Sequence, residues 1–336
     1  MNVLLLSVGR QTYLVEQFRK ADLWDNVFAG DSSPQALALP SADKSFVMPS
    51  FTDARYFEFL ERVVVEHHVD ALISLHDLET VLLAQRSAAL LDLGARFIGP
   101  THEVALACFD KLLTADLLAS CGVAAPRTFA SLARVLNELA MGTLNFPLIL
   151  KPRWGMASKG VSTVTTPDEL RFFYDYLRRT PAPVPDLGGV TSAQDVVVIQ
   201  EFIAGEEFGV DIINDLRGDF EVAVTKKKLA MRGGETDRAQ LVRDPDIDAL
   251  SRRISSRCRH LGSVDCDLLK RGEQAYVIDL NPRFGGGYIF SLAGGVDVPN
   301  ALAHWCAGGA PRDPWKDYRV GECYGKATHL VRVETN

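Results

Sequence analysis

The chain has 336 residues, 47 % of them apolar and 24 % charged, with a formal net charge of -7 at pH 7. This is the composition of a soluble globular protein of two or three lobes. The acidic balance argues against general nucleic-acid binding, and no apolar run approaches the roughly 20 residues that span a bilayer. Six cysteines, Cys108, Cys121, Cys258, Cys266, Cys306 and Cys323, are scattered without a C-x-x-C pair. They read as reduced, mostly buried thiols of a cytoplasmic protein. The start, Met1-Asn2-Val3-Leu4-Leu5-Leu6, lacks the basic flank and cleavage site of a signal peptide and reads as a buried strand.

Residues 3–8 form that strand, followed by Gly9-Arg10-Gln11-Thr12 and by Leu14, Val15 and Phe18 at helical spacing. Strand, glycine turn and helix open a doubly wound α/β unit. The missing G-x-G-x-x-G disfavours a dinucleotide-binding oxidoreductase. Further strands are expected at 27–30, 46–49, 71–77 and 96–99, with helices over 53–67 and 79–91. Asp77 falls at the carboxyl end of a strand, where open α/β sheets bind ligands. Residues 1–105 therefore read as one α/β domain.

A helix over 103–120 contains Asp110-Lys111 and stops at Cys121-Gly122. A short strand at 127–130 and a helix over 131–140 follow, and then a strand over 145–152 ends in Lys151-Pro152. The loop from Arg153 to Gly160, which includes Ser158, is rich in small residues. It suits either a flap whose backbone N–H groups cover phosphates or a plain flexible hairpin. A helix over 167–179 precedes a Pro/Gly loop at 181–189. The strand 196–203 carries Gln200-Glu201-Phe202-Ile203 and bends through Ala204-Gly205-Glu206-Glu207 into a second strand; another lies at 220–225. Residues 226–238 read as a charged loop, 245–260 and 298–306 as helices, and 324–333 as a last strand.

The richest stretch is the hairpin from Asp265 to Gly287. Asp279 and Asn281 are two apart and share a strand face, and the turn carries Asp267 back toward them. Two carboxylates and an amide are hard oxygen ligands suited to Mg²⁺. Arg283 and three glycines follow, a cation and bare backbone suited to phosphate. By itself the stretch reads equally well as a hairpin with surface acids.

Asp110-Lys111, Lys151-Pro152, the Gly/Ser flap, the segment from Gln200 to Glu207, Asp267, and the run from Ile278 to Arg283, in this order, resemble the ATP-grasp superfamily. Within it the chain looks most like a short member of the carbamoyl-phosphate-synthase-large-chain type. The resemblance implies an α/β and α+β architecture: an N-terminal doubly wound pre-ATP-grasp domain (1–105), then a two-lobed ATP-grasp fold with a central lobe (106–198) and a C-terminal lobe (199–336). It implies ATP and Mg²⁺ (or Mn²⁺) as cofactors. Lys111, Lys151 and Ser158 would face phosphates; Glu201, Phe202 and Ile203 would line adenine; Glu206 or Glu207 would take the ribose. Asp279, Asn281 and Asp267, or Asp265 in its place, would hold the metal, and Arg283 the phosphoryl group in transit. The family more often carries Glu or Gln at the position of Asp267 and Glu at that of Asp279.

The implied activity is ATP-dependent carboxylate–amine ligation through an acyl phosphate, releasing ADP and phosphate. The implied partners are small carboxylate and amine substrates, with a homodimer as in many family members and no nucleic acid or membrane. Arg10, Lys226, Lys228, Arg232 and Arg238 are cations for a carboxylate, and Glu235, Asp237, Asp77 and Glu79 acceptors for an amine. Both signs together fit an amino acid or small peptide, with the 226–238 loop closing over it and Arg238 acting in catalysis. The competing expectation is a nucleotide-binding regulatory protein with a decayed ATP-grasp site.

Overall fold

A computed structural model of the protein describes residues 1–155, 159–180, 196–328 and 330–331. Five parallel strands, β1 (Asn2–Leu6), β2 (Asn26–Asp31), β3 (Lys44–Val47), β4 (Ala71–Ser74) and β5 (Arg96–Phe97), form the first sheet in the order β3-β2-β1-β4-β5. The helices α1 (Thr12–Lys20), α2 (Tyr56–Glu66), α3 (Asp77–Gln85) and α4 (Ser87–Asp92) alternate with them. The expected helix 79–91 is two helices, because Arg86 leaves helical geometry and its N–H bonds Leu83 O at 3.1 Å. Leu4, Leu6 and Leu72 pack on α2 and α3 through Leu60, Val64 and Leu83. The opposite sheet face, Leu5 and Ile73, shares a core with Phe18 of α1 and with Phe284, Tyr288 and Leu302 from the far end of the chain.

The next segment contains α5 (His102–Phe109), α6 (Lys111–Ser120), β6 (Thr128–Phe129), α7 (Leu132–Ala140), β7 (Leu148–Pro152), β8 (Ser162–Val164), α8 (Pro167–Arg179) and β9 (Val197–Glu201). Its antiparallel sheet runs β6-β9-β7-β8. The expected single helix over 103–120 breaks at Asp110, which is extended (φ -98°, ψ 111°) and caps α6 by accepting the Leu112 N–H at 3.0 Å. A capping aspartate of this kind starts a helix rather than continuing one. Both halves pack on the last lobe: Val104, Cys108, Leu117 and Leu118 share a core with Ile254, Val264 and Val277.

The last lobe has β10 (Glu206–Asn214), β11 (Phe220–Arg232), β12 (Glu235–Val242), α9 (Pro245–Cys258), β13 (Gly262–Arg271), β14 (Gln274–Asn281), α10 (Tyr288–Gly294), α11 (Val298–Cys306) and β15 (Cys323–Gly325). The sheet order is β14-β13-β10-β11-β12-β15. Residues 226–238 are not a loop but most of the β11–β12 hairpin, turning at Gly233 and Gly234 with φ of 58° and 81°. The final strand is only three residues long in the described part; residues 329 and 332–336 lie outside it. Strand alternation divides this sheet into two faces. Phe208, Val210, Ile212, Cys266 and Leu268 face the apolar core under α9. Their neighbours Glu207, Gly209, Lys226, Lys228, Asp265 and Asp267 line open space. Among the described residues no helix is long and apolar enough to cross a membrane.

Candidate active site

Between the central sheet and the last sheet lies a cavity of about 290 Å³, lined among others by Lys111, Lys151, Glu201, Phe202, Ile203, Glu207 and Ile278. A second chamber of about 280 Å³ is lined by Gln11, Lys226, Glu235, Asp265, Asn281 and Arg283. Lys228, Asp267 and Asp279 line both, so the two chambers meet at these side chains.

Two of the lysines of the first chamber, Lys111 and Lys151, sit on elements joined by one buried ion pair. The Arg153 guanidinium grips both oxygens of the Asp110 carboxylate, with Nε at 2.8 and 2.9 Å and Nη2 at 2.7 Å. This ties the start of α6 to the end of β7. Lys111, the first residue of α6, donates from Nζ to Gly155 O at 2.9 Å, and its backbone N–H reaches Arg153 O at 3.2 Å. Lys151 projects from β7 with 9 % exposure. Burial pushes its ammonium down to about 8; Asp279 opposes the shift and Lys111 adds to it.

The floor is a lattice of charges on alternate strand residues. Lys228 Nζ sits 2.8 Å from both Glu207 Oε1 and Asp267 Oδ1. Burial would lower the Lys228 ammonium, but these two carboxylates outweigh it and hold it above its ordinary value. Lys226 Nζ lies 2.5 Å from Asp211 Oδ2, which also accepts from the Ser291 hydroxyl. Gly209 stands between Glu207 and Asp211 on β10, with the Lys228 and Lys226 side chains lying across it: a Cβ there would meet Lys228 Cε at 3.4 Å and Lys226 Cε at 3.7 Å, ordinary contact distances.

The β13–β14 register sets Asp267 opposite Asp279 and Asp265 opposite Asn281. Asp265, Asp267, Asp279 and Asn281 all line the second chamber, and Asp267 and Asp279 the first as well. Asp279, Asn281 and Asp265 have no side-chain hydrogen-bond or ion-pair partner among the described residues. Burial, then the neighbouring Asp267 and Asp211, push the Asp265 carboxyl up to about 7. Burial likewise raises Asp267, against the pull of Lys228. Arg283 is held by the first domain: Nε lies 2.6 Å from Asp77 Oδ1 and Nη2 donates to Oδ2 at 3.1 Å. Burial opposes its charge, but Asp77 and Asp265 more than compensate.

Several expected residues fall elsewhere. Glu206 points away from the cavity and pairs with Lys227 outside it, because adjacent strand residues face opposite ways. Arg238 is exposed on β12 beside Gly325 and lines neither chamber. Arg10 is exposed, and Arg232 is an exposed partner of Asp237 at 3.4 Å. Glu79 is 2 % exposed inside the first domain, accepting from the Tyr56 hydroxyl at 2.7 Å and from Ser74 Oγ at 2.6 Å. Burial raises its pKa in spite of those bonds. Ser158 lies outside the described residues. Gln11, Gly209 and Asp211 join the site without having been expected there. Asp211 had a signal in its two-residue steps from Glu207 through Gly209; Gln11 had none.

Residues 108–287 match the family model of the ATP-grasp domain, and residues 3–98 match the PylC-like N-terminal domain. The chain belongs to the ATP-grasp family. It is 21 % identical over 246 residues to the carbamoyl phosphate synthase large chain of Lachnoclostridium phytofermentans, covering 69 % of this chain and 22 % of that one. It is 30 % identical over 236 residues to the D-alanine–D-alanine ligase of Mycolicibacterium gilvum, covering 64 % and 63 %. The chain thus spans less than two thirds of the length of either relative. Its fold superposes on the L-amino acid ligase of Bacillus licheniformis with a TM-score of 0.67 at 19 % identity, over 91 % of this chain and 74 % of that one.

Proposed function

We propose that the protein is an ATP-dependent carboxylate–amine ligase acting on an amino acid or small peptide. The observation that carries this reading is the junction of the two chambers: one side is lined by lysines and the other by mixed charges, and Asp267 and Asp279 stand where they meet. Lys111 and Lys151 bind the phosphates of ATP as point charges. Glu201, Phe202 and Ile203 frame the base, and Glu207, held by Lys228, accepts from the ribose. The sheet face presents two carboxylates and an amide with no third His, Cys, Asp or Glu close enough to complete a cage among the described residues. That donor set suits Mg²⁺, which fills its remaining positions with phosphate oxygens and water. When bound, the ion would supply charge neutralisation on the phosphates.

A substrate carboxylate oxygen attacks the γ-phosphorus; the bond to the β–γ bridging oxygen breaks, leaving ADP and an acyl phosphate. The amine nitrogen then attacks the acyl carbon, phosphate leaves with the bonding pair, and the amine loses a proton. Arg283 lies beside the path of the phosphoryl group, and Asp77 fixes its orientation. Positioning and charge do the chemistry, so no protein nucleophile is required.

The test is to incubate the protein with ATP, Mg²⁺ and pooled amino acids and to follow ADP and phosphate. Substrate-dependent ADP release with wild type, abolished in Asp279→Asn while the fold persists by circular dichroism, is the expected result. AMP as product, or an Asp279→Asn variant of full activity, would overturn the reading. Tight ATP binding without turnover on any amine or carboxylate would favour a regulatory nucleotide-binding role.

A further inference from the structure

We infer that the second chamber admits an acyl substrate carrying a protonated amine, and that Asp265 is the counter-ion that selects it. The inference rests on the ligase reading above and narrows its substrate to a carboxylic acid with a free ammonium group close to the reacting carboxylate.

The three cations lining this chamber are already engaged. Lys226 is paired with Asp211 at 2.5 Å, Lys228 with Glu207 and Asp267 at 2.8 Å each, and Arg283 with Asp77 at 2.6 Å. Asp265 has no such partner among the described residues, although it borders the same space. Directly across from it in strand register is Asp211, fully buried, whose Oδ1 also lacks a hydrogen-bond donor. Asp265 and the Asp211 Oδ1 across from it are thus carboxylate oxygens without a donor of their own among the described residues. An ammonium, with three N–H groups and a positive charge, supplies what is missing. An additional carboxylate would meet a carboxylate.

The backbone is shaped to keep this acid in place. A Cβ on Gly285 would come within 2.1 Å of the Asp265 carboxyl carbon and 2.3 Å of Oδ2. The side chain lies flat on bare glycine backbone, and any other residue there would displace it.

The experiment measures melting temperature in the presence of MgADP and ADP release in the presence of MgATP. The probes are the twenty common amino acids, the D-enantiomers of the chiral ones, and the N-acetyl derivative of each. The expected result has two parts. At least one free amino acid raises the melting temperature and drives ADP release while its N-acetyl form does neither. Asp265→Asn then loses about 30-fold or more in kcat/KM for that amino acid, the scale for removing one partner of a buried charge pair. The nucleotide-induced melting shift is retained in Asp265→Asn, which shows that the variant is folded; Asp265→Ser gives a second check, and Asp265→Glu restores part of the preference. N-acetyl forms that serve as well as free amino acids overturn the inference and leave the ligase reading standing. So does an Asp265→Asn variant that keeps the wild-type preference, or one whose defect is repaired by raising Mg²⁺, which would make Asp265 a metal ligand instead. ADP release with no carboxylate at all, or no nucleotide-induced shift in wild type, overturns the ligase reading itself and this inference with it.

Discussion

Lys151 offers the sharpest test of the proposed nucleotide chamber, because its charge is poised near neutrality. Burial, reinforced by Lys111 and opposed by Asp279, places its ammonium at about 8 in the free protein. The free protein is then about 90 % charged at this position at pH 7 and about 10 % charged at pH 9. Phosphates beside it favour the charged form, so ATP binding at pH 9 must bring a proton in with it. The apparent ATP dissociation constant is therefore expected to rise about tenfold between pH 7 and pH 9, a loss of ~1.4 kcal/mol. Stability of the unliganded protein moves the other way. A folded-state value below the unfolded one means the unfolded chain binds the proton more tightly between about pH 8 and 10.5, so this group's contribution rises by up to ~3 kcal/mol across that window. Calorimetric titration of a non-hydrolysable ATP analogue with Mg²⁺, in two buffers of different ionisation enthalpy, reads both affinity and proton uptake. Uptake near one proton at pH 9 and near zero at pH 7 is expected. Lys151→Arg, which stays charged, should flatten the profile. Equal affinity at both pH values, no proton uptake, or an unaltered profile in Lys151→Arg would refute the reasoning.

The Asp110–Arg153 pair joins the two lysines, and Asp110→Ala leaves a buried guanidinium unpaired; urea unfolding should show a loss of ~3–5 kcal/mol. The same variant should raise the KM for ATP more than it lowers kcat, since Lys111 loses its anchor while the proposed metal ligands are untouched. His260, fully buried with Nε2 donating to Ile212 O at 3.1 Å, is pushed down to about 4 by burial. Below about pH 6.5 the unfolded chain takes the proton first, so stability should fall by up to ~3 kcal/mol as pH drops from about 6.5 to 4. His260→Gln should flatten that acid limb in chemical denaturation measured across pH, and an unchanged slope would count against the assignment.

The features that could be read from the chain were those whose cause is local. The apolar runs of β1, β2 and β4 with helices between them announce a doubly wound sheet, and the helices at 167–179 and 298–306 have the expected bounds because each begins with its own proline and cap. The Asp267–Asp279 pairing follows from a hairpin with a tight turn. The features that could not be read depend on partners far along the chain. Asp110 breaks a good helical pattern because it answers Arg153, 43 residues away. The 226–238 stretch reads as a solvated charge run because its counter-ions Glu207, Asp211 and Asp267 come from two other strands. Glu79 looks like a free acceptor until Tyr56 and Ser74 close over it.

The grip of Asp77 on Arg283 bears on how such a molecule can be re-engineered or can diverge. The arginine proposed to meet the phosphoryl group is oriented by a residue of a different domain, and Leu5 and Phe18 share one apolar core with Tyr288 and Leu302. The first domain is therefore no interchangeable cassette. A graft that brings a new N-terminal sheet must also bring an acid at the start of α3 and a matching α1 surface, or it will leave a buried cation unanswered on the chamber wall. New substrate preferences are easier to reach by changing single residues on the chamber wall than by exchanging the domain that forms part of it.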